Sequence, residues 1–319
     1  MKKIKIKFVD WPNSYGTNTF SEILKTKFNV EISENPEYLF FSDFGNEHLN
    51  YDCIRVYYTP ENLVPDFNIC DYAIGYHYIS FEDRYLRFPL YGLFEYRKDY
   101  EKALKKHIVT AKEINEKMKF CNFIYSNSNA DIKRHIFFDV LNKYEHVDSG
   151  GKFLNNIGGP VADKHEFQKK YKFSIAFENS SMSGYTTEKI VQAFAAKTIP
   201  IYWGDPNIDL FFNEKAFINV QKFNSFDDVV ERIKEIDTNP ALFAEILNEP
   251  MLVKTDLDYQ KLENFMFQIF DGGAGNFRRS NILRGQWYQD YHNKMAKWHK
   301  KLSSIERYFG FVKKLYMQF

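Results

Sequence analysis

The segment "YKFSIAFENSSMSGYTTEKIVQAFAAKTIPIYWGDP", residues 171–206, constrains the fold more than any other part of the chain. Phe173–Phe177 is a short apolar run rich in aromatic and β-branched character, the pattern of a strand buried on both faces. Thr198–Trp203 reads the same way and stops at Gly204-Asp205-Pro206, a turn signal. Between them, Thr187–Lys197 places Ile190, Val191, Phe194 and Ala195 at helical spacing. Strand, loop, helix and strand make a βαβ unit. Its loop, carrying Glu178, Asn179, Gly184, Tyr185, Glu188 and Lys189, lies at the carboxyl end of the first strand. Open α/β sheets bind ligands there, with a helix N-terminus available to an anion, so a nucleotide is expected at this cluster.

The rest of the chain repeats the alternation. Strands are expected at Lys3–Val9, Tyr38–Ser42, Ile54–Thr59 and Tyr72–Gly75, with a helix over Phe20–Lys27. Tyr96–Lys119 is dense in charge and reads as a solvated helix and linker. A second alternation starts at "FCNFIYSNSNADIKRHIFFDVLNKY", continues through the 171–206 unit, and adds a helix opened by Ser225 and another between Pro240 and Pro250. At 319 residues the chain has room for two medium domains. The expectation is an α/β protein of two Rossmann-like domains facing a cleft, over residues 1–117 and 118–270, with a basic amphipathic helical tail over 271–319. From Asp290 on, Tyr291, Met295, Trp298, Leu302, Ile305, Phe309, Val312, Tyr316 and Phe319 recur at 4-3 spacing among seven Lys/Arg and two acids. Packing on the body, self-association and peripheral contact with an anionic membrane all fit that pattern.

A net charge of +1 carries no nucleic-acid signature. Three cysteines, Cys53, Cys70 and Cys121, lack metal-ligand spacing, and no metal site is expected. The start "MKKIKIKFVDWP" alternates like a strand and lacks the apolar core of a signal peptide, and no run has the length of a membrane span. A cytoplasmic setting is the expectation, peripheral on the inner membrane face if the tail binds lipid. Aromatics reach 18%, which fits either sugar stacking or a biased composition.

A bound nucleoside diphosphate needs cations at its phosphates and an acceptor for its ribose hydroxyls. Glu188 and Lys189 open a helix together; the helix dipole favours the first and disfavours the second unless an anion offsets it. Arg134 follows a strand and loop in the same half and offers a second phosphate contact, with Lys133 beside it. Sugar transfer also needs a base for the acceptor hydroxyl. Glu61 in "YYTPENL" follows the apolar run Ile54–Thr59 in the other half, where it would face the cleft. Asp256-Leu257-Asp258 has the form of a metal-binding Asp-x-Asp but lies beyond the donor core, and reads as coincidence.

The 171–206 segment resembles the hallmark motif of the bacterial α-1,3/4-fucosyltransferase family: Phe-Glu-Asn-Ser, Tyr-x-Thr-Glu-Lys, a helix, then Pro-x-x-x-Gly. The likeness extends to "VYYTPENLVPDFNICDYAIGYHYISFEDRYLRFPLYG", "SNSNADIKRHIFFDVLN" and "VDSGGK", from about residue 50 to 250. The resemblance implies a GT-B glycosyltransferase with the acceptor on the first half and GDP-fucose on the second. It implies an inverting transfer of L-fucose to N-acetylglucosamine of a lactosamine-type glycan, in lipopolysaccharide or capsule, with GDP-fucose as donor and no cofactor. By motif position Glu61 resembles the catalytic base, Arg134 and Lys189 the diphosphate ligands, Glu188 the ribose ligand, and Asn179 and Tyr185 further donor contacts. One extra residue before Arg134 leaves Lys133 as the alternative. Another GDP-sugar, or glycan binding without turnover, are the rival readings.

Overall fold

Lysines alternating with apolar residues at the amino terminus produce a strand: in β1 (Lys3–Val9), Ile4, Ile6 and Val9 are buried, and the lysines between them keep solvent contact. The computed structural model describes residues 1–11, 17–105, 108–255 and 257–316, with residues 111, 115 and 304–316 as backbone alone. The first sheet continues with β2 (Asn29–Ile32), β3 (Tyr38–Phe41), β4 (Ile54–Tyr58), β5 (Tyr72–Gly75) and β6 (Tyr85–Arg87), in the order β2-β1-β3-β4-β5-β6. All neighbours are parallel. Strands β3, β4 and β5 are buried at every position, which is why they read as unbroken apolar runs.

The second sheet comprises β7 (Lys119–Phe123), β8 (Val147–Ser149), β9 (Tyr171–Phe177), β10 (Ile199–Trp203) and β11 (Ile218–Asn219), in the order β11-β10-β9-β7-β8, again all parallel. Each sheet starts one strand in from an edge. The chain lays β2 on one side of β1 and β3 on the other, and in the second sheet β8 and β9 flank β7 in the same way. Each sheet therefore has a topological switch point, at β1/β3 and at β7/β9, and the crevice at the carboxyl ends of such a pair is where α/β sheets take ligands.

Helices α1 (Thr17–Lys25), α2 (Phe94–Leu104), α3 (Ala111–Asn115), α4 (Lys133–Tyr144), α5 (Lys164–Gln168), α6 (Glu188–Ala195), α7 (Phe226–Thr238), α8 (Pro240–Asn248), α9 (Tyr259–Asp271) and α10 (Leu283–Tyr316) complete the chain. The Ser225 start is a capping box with Asp228, and Asn239 caps α8 with Pro240 in its first turn.

Three regions differ from the sequence expectation. The charged stretch after Tyr96 is not only a solvated linker. Tyr100 of α2 is buried, and Gln192 of α6 donates to Asp99 at 3.2 Å, so α2 ties the two halves together. The second unit does not hold everything up to residue 270. Helix α9 returns to the first sheet, where Phe270 packs 4.2 Å from the Tyr38 ring and Phe265 lies edge-on to Tyr72. Burial of its apolar face required only some sheet surface, and the sequence does not say which. The tail is rooted on the first half: backbone N–H groups of Arg278 and Arg279 donate to Asp71 at 2.8 and 2.9 Å, and Tyr288 donates to Asp66 at 2.9 Å. Its seam residues Tyr291, Met295, Trp298 and Leu302 stay exposed, while Ile305, Phe309, Val312, Tyr316 and Phe319 fall outside the residues whose side chains are described.

Candidate active site

The loop after β9 is organised by Glu178, a carboxylate with no solvent exposure. Its backbone N–H continues the sheet to the Trp203 carbonyl (2.8 Å), which fixes where the side chain begins. One carboxylate oxygen accepts the Thr187 N–H at 2.8 Å; the other accepts the Thr187 hydroxyl at 2.7 Å and the Lys189 ammonium at 2.9 Å. Glu178 thus closes the amino end of α6 from outside the helix, a cap that local spacing does not reveal. Gly204 belongs to the same arrangement, since a Cβ there would come within 2.4 Å of the Glu178 Cγ.

Lys189 also donates to the Thr187 hydroxyl at 2.9 Å and lies 3.9 Å from Glu188. Burial alone would push the ammonium down, but the Glu178 and Glu188 carboxylates outweigh it and hold the pKa well above its ordinary value. The unfavourable place of a lysine at a helix start, which the sequence marked as calling for an anion, is answered in part by Glu178 inside the protein. Burial raises the Glu188 pKa, and the cations Lys189 and Lys164 more than reverse that, keeping Glu188 ionised.

Arg134, in the first turn of α4, is 1% exposed. Its Nη2 donates to the Asn179 Oδ1 at 2.7 Å and to the Phe177 carbonyl at 3.3 Å, and its guanidinium lies 4.1 Å from the Tyr125 ring centre. Its Nε and Nη1 find no hydrogen-bond partner among the described residues. A buried guanidinium with two unpaired nitrogens calls for an acceptor beyond the described residues. Arg134 follows β7 and Glu178 follows β9, so the cations converge on the switch point of the second sheet. Lys133 turns elsewhere. It is exposed, with its ammonium 5.0 Å from the Trp203 ring centre, beside a groove of about 520 Å³ lined by Ser181, Gln221 and Ser225.

The first half reaches this cluster through the turn after β4. Asn179 accepts from Arg134 through Oδ1 and places its Nδ2 3.5 Å from the Glu61 Oε2. Asn62 donates to the Ser180 hydroxyl at 2.7 Å, and Tyr185, 1% exposed, donates to the Pro60 carbonyl at 3.4 Å. Burial raises the Tyr185 pKa, keeping its hydroxyl a neutral donor. Gly184, at φ +89°, lets the two halves meet: a Cβ there would sit 2.5 Å from the Tyr76 carbonyl oxygen. Glu61 is itself held by its N–H on the Thr59 hydroxyl at 3.0 Å. Asn179 thus joins Arg134 to Glu61, Tyr185 reaches the same turn at Pro60, and Glu188 and Lys189 open α6. Sequence reasoning named Glu178 in the cluster without seeing that it anchors the rest. The available signal was a carboxylate ending an apolar strand, which burial obliges to find a cation. Asn62 and Ser180 carried no signal. Asp258 caps α9 by accepting the Lys261 N–H, and Asp256 lies outside the described residues.

Residues 6–94 match the alpha-(1,3)-fucosyltransferase FucT N-terminal domain, and residues 114–249 match the C-terminal part of glycosyltransferase family 10 (fucosyltransferase). The first match begins well before residue 50, where the visible motif likeness starts. An alpha-(1,3)-fucosyltransferase FucT of Helicobacter pylori is 34% identical over 83% of this chain, which spans 64% of that relative's length. A mouse 4-galactosyl-N-acetylglucosaminide 3-alpha-L-fucosyltransferase 9 is 30% identical over 43% of the chain and 38% of its own. A crystal structure of an alpha1,3-fucosyltransferase superposes with a TM-score of 0.75 at 30% identity, covering 88% of this chain and 93% of that one. A crystal structure of an alpha1,3-fucosyltransferase with GDP-fucose superposes with a TM-score of 0.69 at 32% identity, covering 84% and 91%. The two parallel sheets form the GT-B arrangement of these structures. The chain belongs to glycosyltransferase family 10, the fucosyltransferases.

Proposed function

We propose that this chain transfers L-fucose from GDP-fucose to the 3-hydroxyl of N-acetylglucosamine in a lactosamine-type glycan, by one inverting displacement. The observation that carries the reading is the meeting at Asn179: its amide bonds Arg134 on one side and faces Glu61, from the opposite half, on the other. Glu61 takes the proton from the acceptor hydroxyl as its oxygen bonds to the fucose C1. The bond from C1 to the diphosphate oxygen breaks, the β linkage of the donor becomes α in the product, and the electron pair leaves with GDP. The free nitrogens of Arg134 and the ammonium of Lys189 stabilise the charge gathering on that diphosphate. Glu188 accepts the ribose hydroxyls, and Asn179 and Tyr185 contact the donor near the sugar. The first half carries the acceptor and the second the donor. NMR of the product tests the reading: an α anomer at O3, formed from GDP-fucose and from no other GDP-hexose, is expected. A β anomer excludes inversion, and equal use of another GDP-hexose excludes fucose as the assigned sugar.

The proposed setting is the cytoplasmic face of a membrane, where a lipid-linked lipopolysaccharide or capsule precursor is built. Trp287, Tyr291, Trp298 and Leu302 are exposed on α10 among Lys294, Lys297, Lys300 and Lys301, which fits peripheral contact with an anionic surface. No described helix is long and apolar enough to cross a membrane. Sedimentation with anionic vesicles that persists after truncation at Ser303 locates the contact in the described part of α10. Absence of sedimentation by the whole chain excludes the membrane role, and a doubled mass without vesicles assigns the helix to self-association.

A further inference from the structure

The turn that carries Glu61 is held at a second point. Asn62, the next residue, donates from Nδ2 to the Ser180 hydroxyl of the second half at 2.7 Å. On the other side of its amide, Oδ1 lies 3.4 Å from the His77 Nε2. Glu61 faces Asn179 and Asn62 faces Ser180, so consecutive residues of one half pair with consecutive residues of the other. The second pair fixes the register of the first, and His77 stands behind it.

His77 follows β5, the neighbour of the strand that leads into the Glu61 turn. It is 3% exposed, and its backbone is fixed from three directions. Its carbonyl accepts the Tyr85 hydroxyl at 3.0 Å, and the Tyr76 carbonyl before it accepts the Arg87 Nε at 2.7 Å. From the second half, a Cβ on Gly184 would come within 3.3 Å of the His77 Cα. A ring packed on so fixed a backbone holds its nitrogens in one place relative to the turn.

The two ring nitrogens are unequal. Burial, and after it the Arg87 guanidinium, lower the His77 pKa and keep the imidazole uncharged at pH 7, with a single N–H. With its Nδ2 on Ser180, Asn62 presents an acceptor to the ring, so that N–H sits at Nε2. Nδ1 is left buried with no hydrogen-bond partner among the described residues. A buried acceptor without a donor costs stability, so an apolar ring of similar size would suit the packing at least as well. What an apolar ring could not do is donate to Asn62.

We propose that His77 is a positioning residue for the transfer reaction: through Asn62 it holds the Glu61 carboxylate where it reaches the acceptor hydroxyl. The proposal rests on the fucosyl-transfer reading above. Displacing a catalytic group by about 1 Å can cost ~10²-fold in rate, while donor binding, built from the second half, is untouched.

Initial rates with GDP-fucose and N-acetyllactosamine, calorimetric GDP binding and Tm test it on wild type, His77→Phe, His77→Gln, Asn62→Ala and the His77→Phe/Asn62→Ala double variant. His77→Phe should lower kcat about 10–100-fold, with GDP affinity within about twofold of wild type and Tm not reduced. Glutamine carries an N–H close to where Nε2 stands, so His77→Gln should keep kcat within about threefold of wild type. Asn62→Ala should lose at least as much as His77→Phe, and the double variant no more than Asn62→Ala, since both act through one link. A folded His77→Phe with kcat within about twofold of wild type overturns the proposal, as does a loss confined to GDP affinity. Equal losses of kcat in His77→Gln and His77→Phe overturn it too, because the hydrogen bond then carries nothing. If His77→Phe does not fold, the half-buried Asn62→Ala decides under the same limits. Turnover by wild type with unaffected variants removes only the positioning role. If the wild type transfers no fucose, the transfer reading fails and the positioning role falls with it.

Discussion

Replacing Glu178 by Gln isolates the interaction that organises the loop. The change is isosteric, so packing against Gly204 is kept, but the charge and one acceptor oxygen are lost. Three donors converge on the two carboxylate oxygens: the Thr187 N–H, the Thr187 hydroxyl and the Lys189 ammonium. A glutamine offers one oxygen and turns its NH₂ toward donors on the other side, so at least one contact is broken outright. Removing one partner of a buried ion pair typically costs about 3–5 kcal/mol. The Lys189 side chain keeps 15% of its exposure, which puts the expected loss at the lower end, about 3 kcal/mol. At about 2–4 °C per kcal/mol for a chain of this class, Tm should fall by about 6–12 °C. Urea unfolding of wild type, Glu178→Gln, Lys189→Met and the double variant gives the coupling directly, and the double variant should lose less than the sum of the singles. A Glu178→Gln protein within about 0.5 kcal/mol of wild type, or additive losses, would refute the argument that this pair holds the loop.

Three other outcomes follow from the same geometry. Arg134→Ala and Lys189→Ala should each weaken GDP binding roughly 10–150-fold by calorimetry, the range for a lost charged hydrogen bond, whereas Lys133→Ala should leave it within about twofold; the reverse ranking would transfer the diphosphate to Lys133. Gly184→Ala should destabilise the protein by about 1–3 kcal/mol, through its left-handed backbone and the Tyr76 carbonyl, and an unchanged Tm would show that the halves do not meet there. Lys117, 6% exposed, is pushed by burial down to about 8, while in the unfolded chain it titrates near ~10.4. Between those values the unfolded chain holds the extra proton, so stability from this group rises with pH through that window and is lost as pH falls through about 8. The stability difference between wild type and Lys117→Met should therefore grow in favour of wild type from pH 7.5 to pH 10. A constant difference would mean that the Lys169 and Tyr171 carbonyls, at 3.0 and 3.3 Å, keep the ammonium charged.

Legibility in the sequence followed the range of the interactions. Strands β1 and β5 lie where alternation and apolar runs placed them, and β3, β4 and β10 differ by a residue at one end, because burial on the sheet writes directly into composition. Edge strands β2 and β6 passed unnoticed. Asn29–Ile32 is half-exposed and β6 has three residues, so neither carries a full apolar pattern. Helix α9 was not read as a helix, and its place on the first sheet depends on Tyr38 and Tyr72, about two hundred residues away in the chain. In the site, residues within one βαβ unit were legible as a group. What joins them to the other half was not: Asn62 to Ser180 and Tyr185 to Pro60 cross 118 and 125 residues. The different surroundings of Arg134 and Lys133 were also invisible, since a helix turns adjacent side chains about 100° apart, one onto Asn179 and the other onto Trp203.

The central claim is that Glu61 acts as base across the cleft from the Arg134–Lys189 clamp. Single-turnover transfer of fucose from GDP-fucose to N-acetyllactosamine by Glu61→Gln, beside calorimetric GDP binding by the same protein, tests it most directly. The account predicts a rate lowered by ~10²–10⁴ with GDP affinity within about twofold of wild type. A variant that keeps more than about half of the wild-type rate contradicts it, because a lost general base cannot leave the proton-transfer step intact.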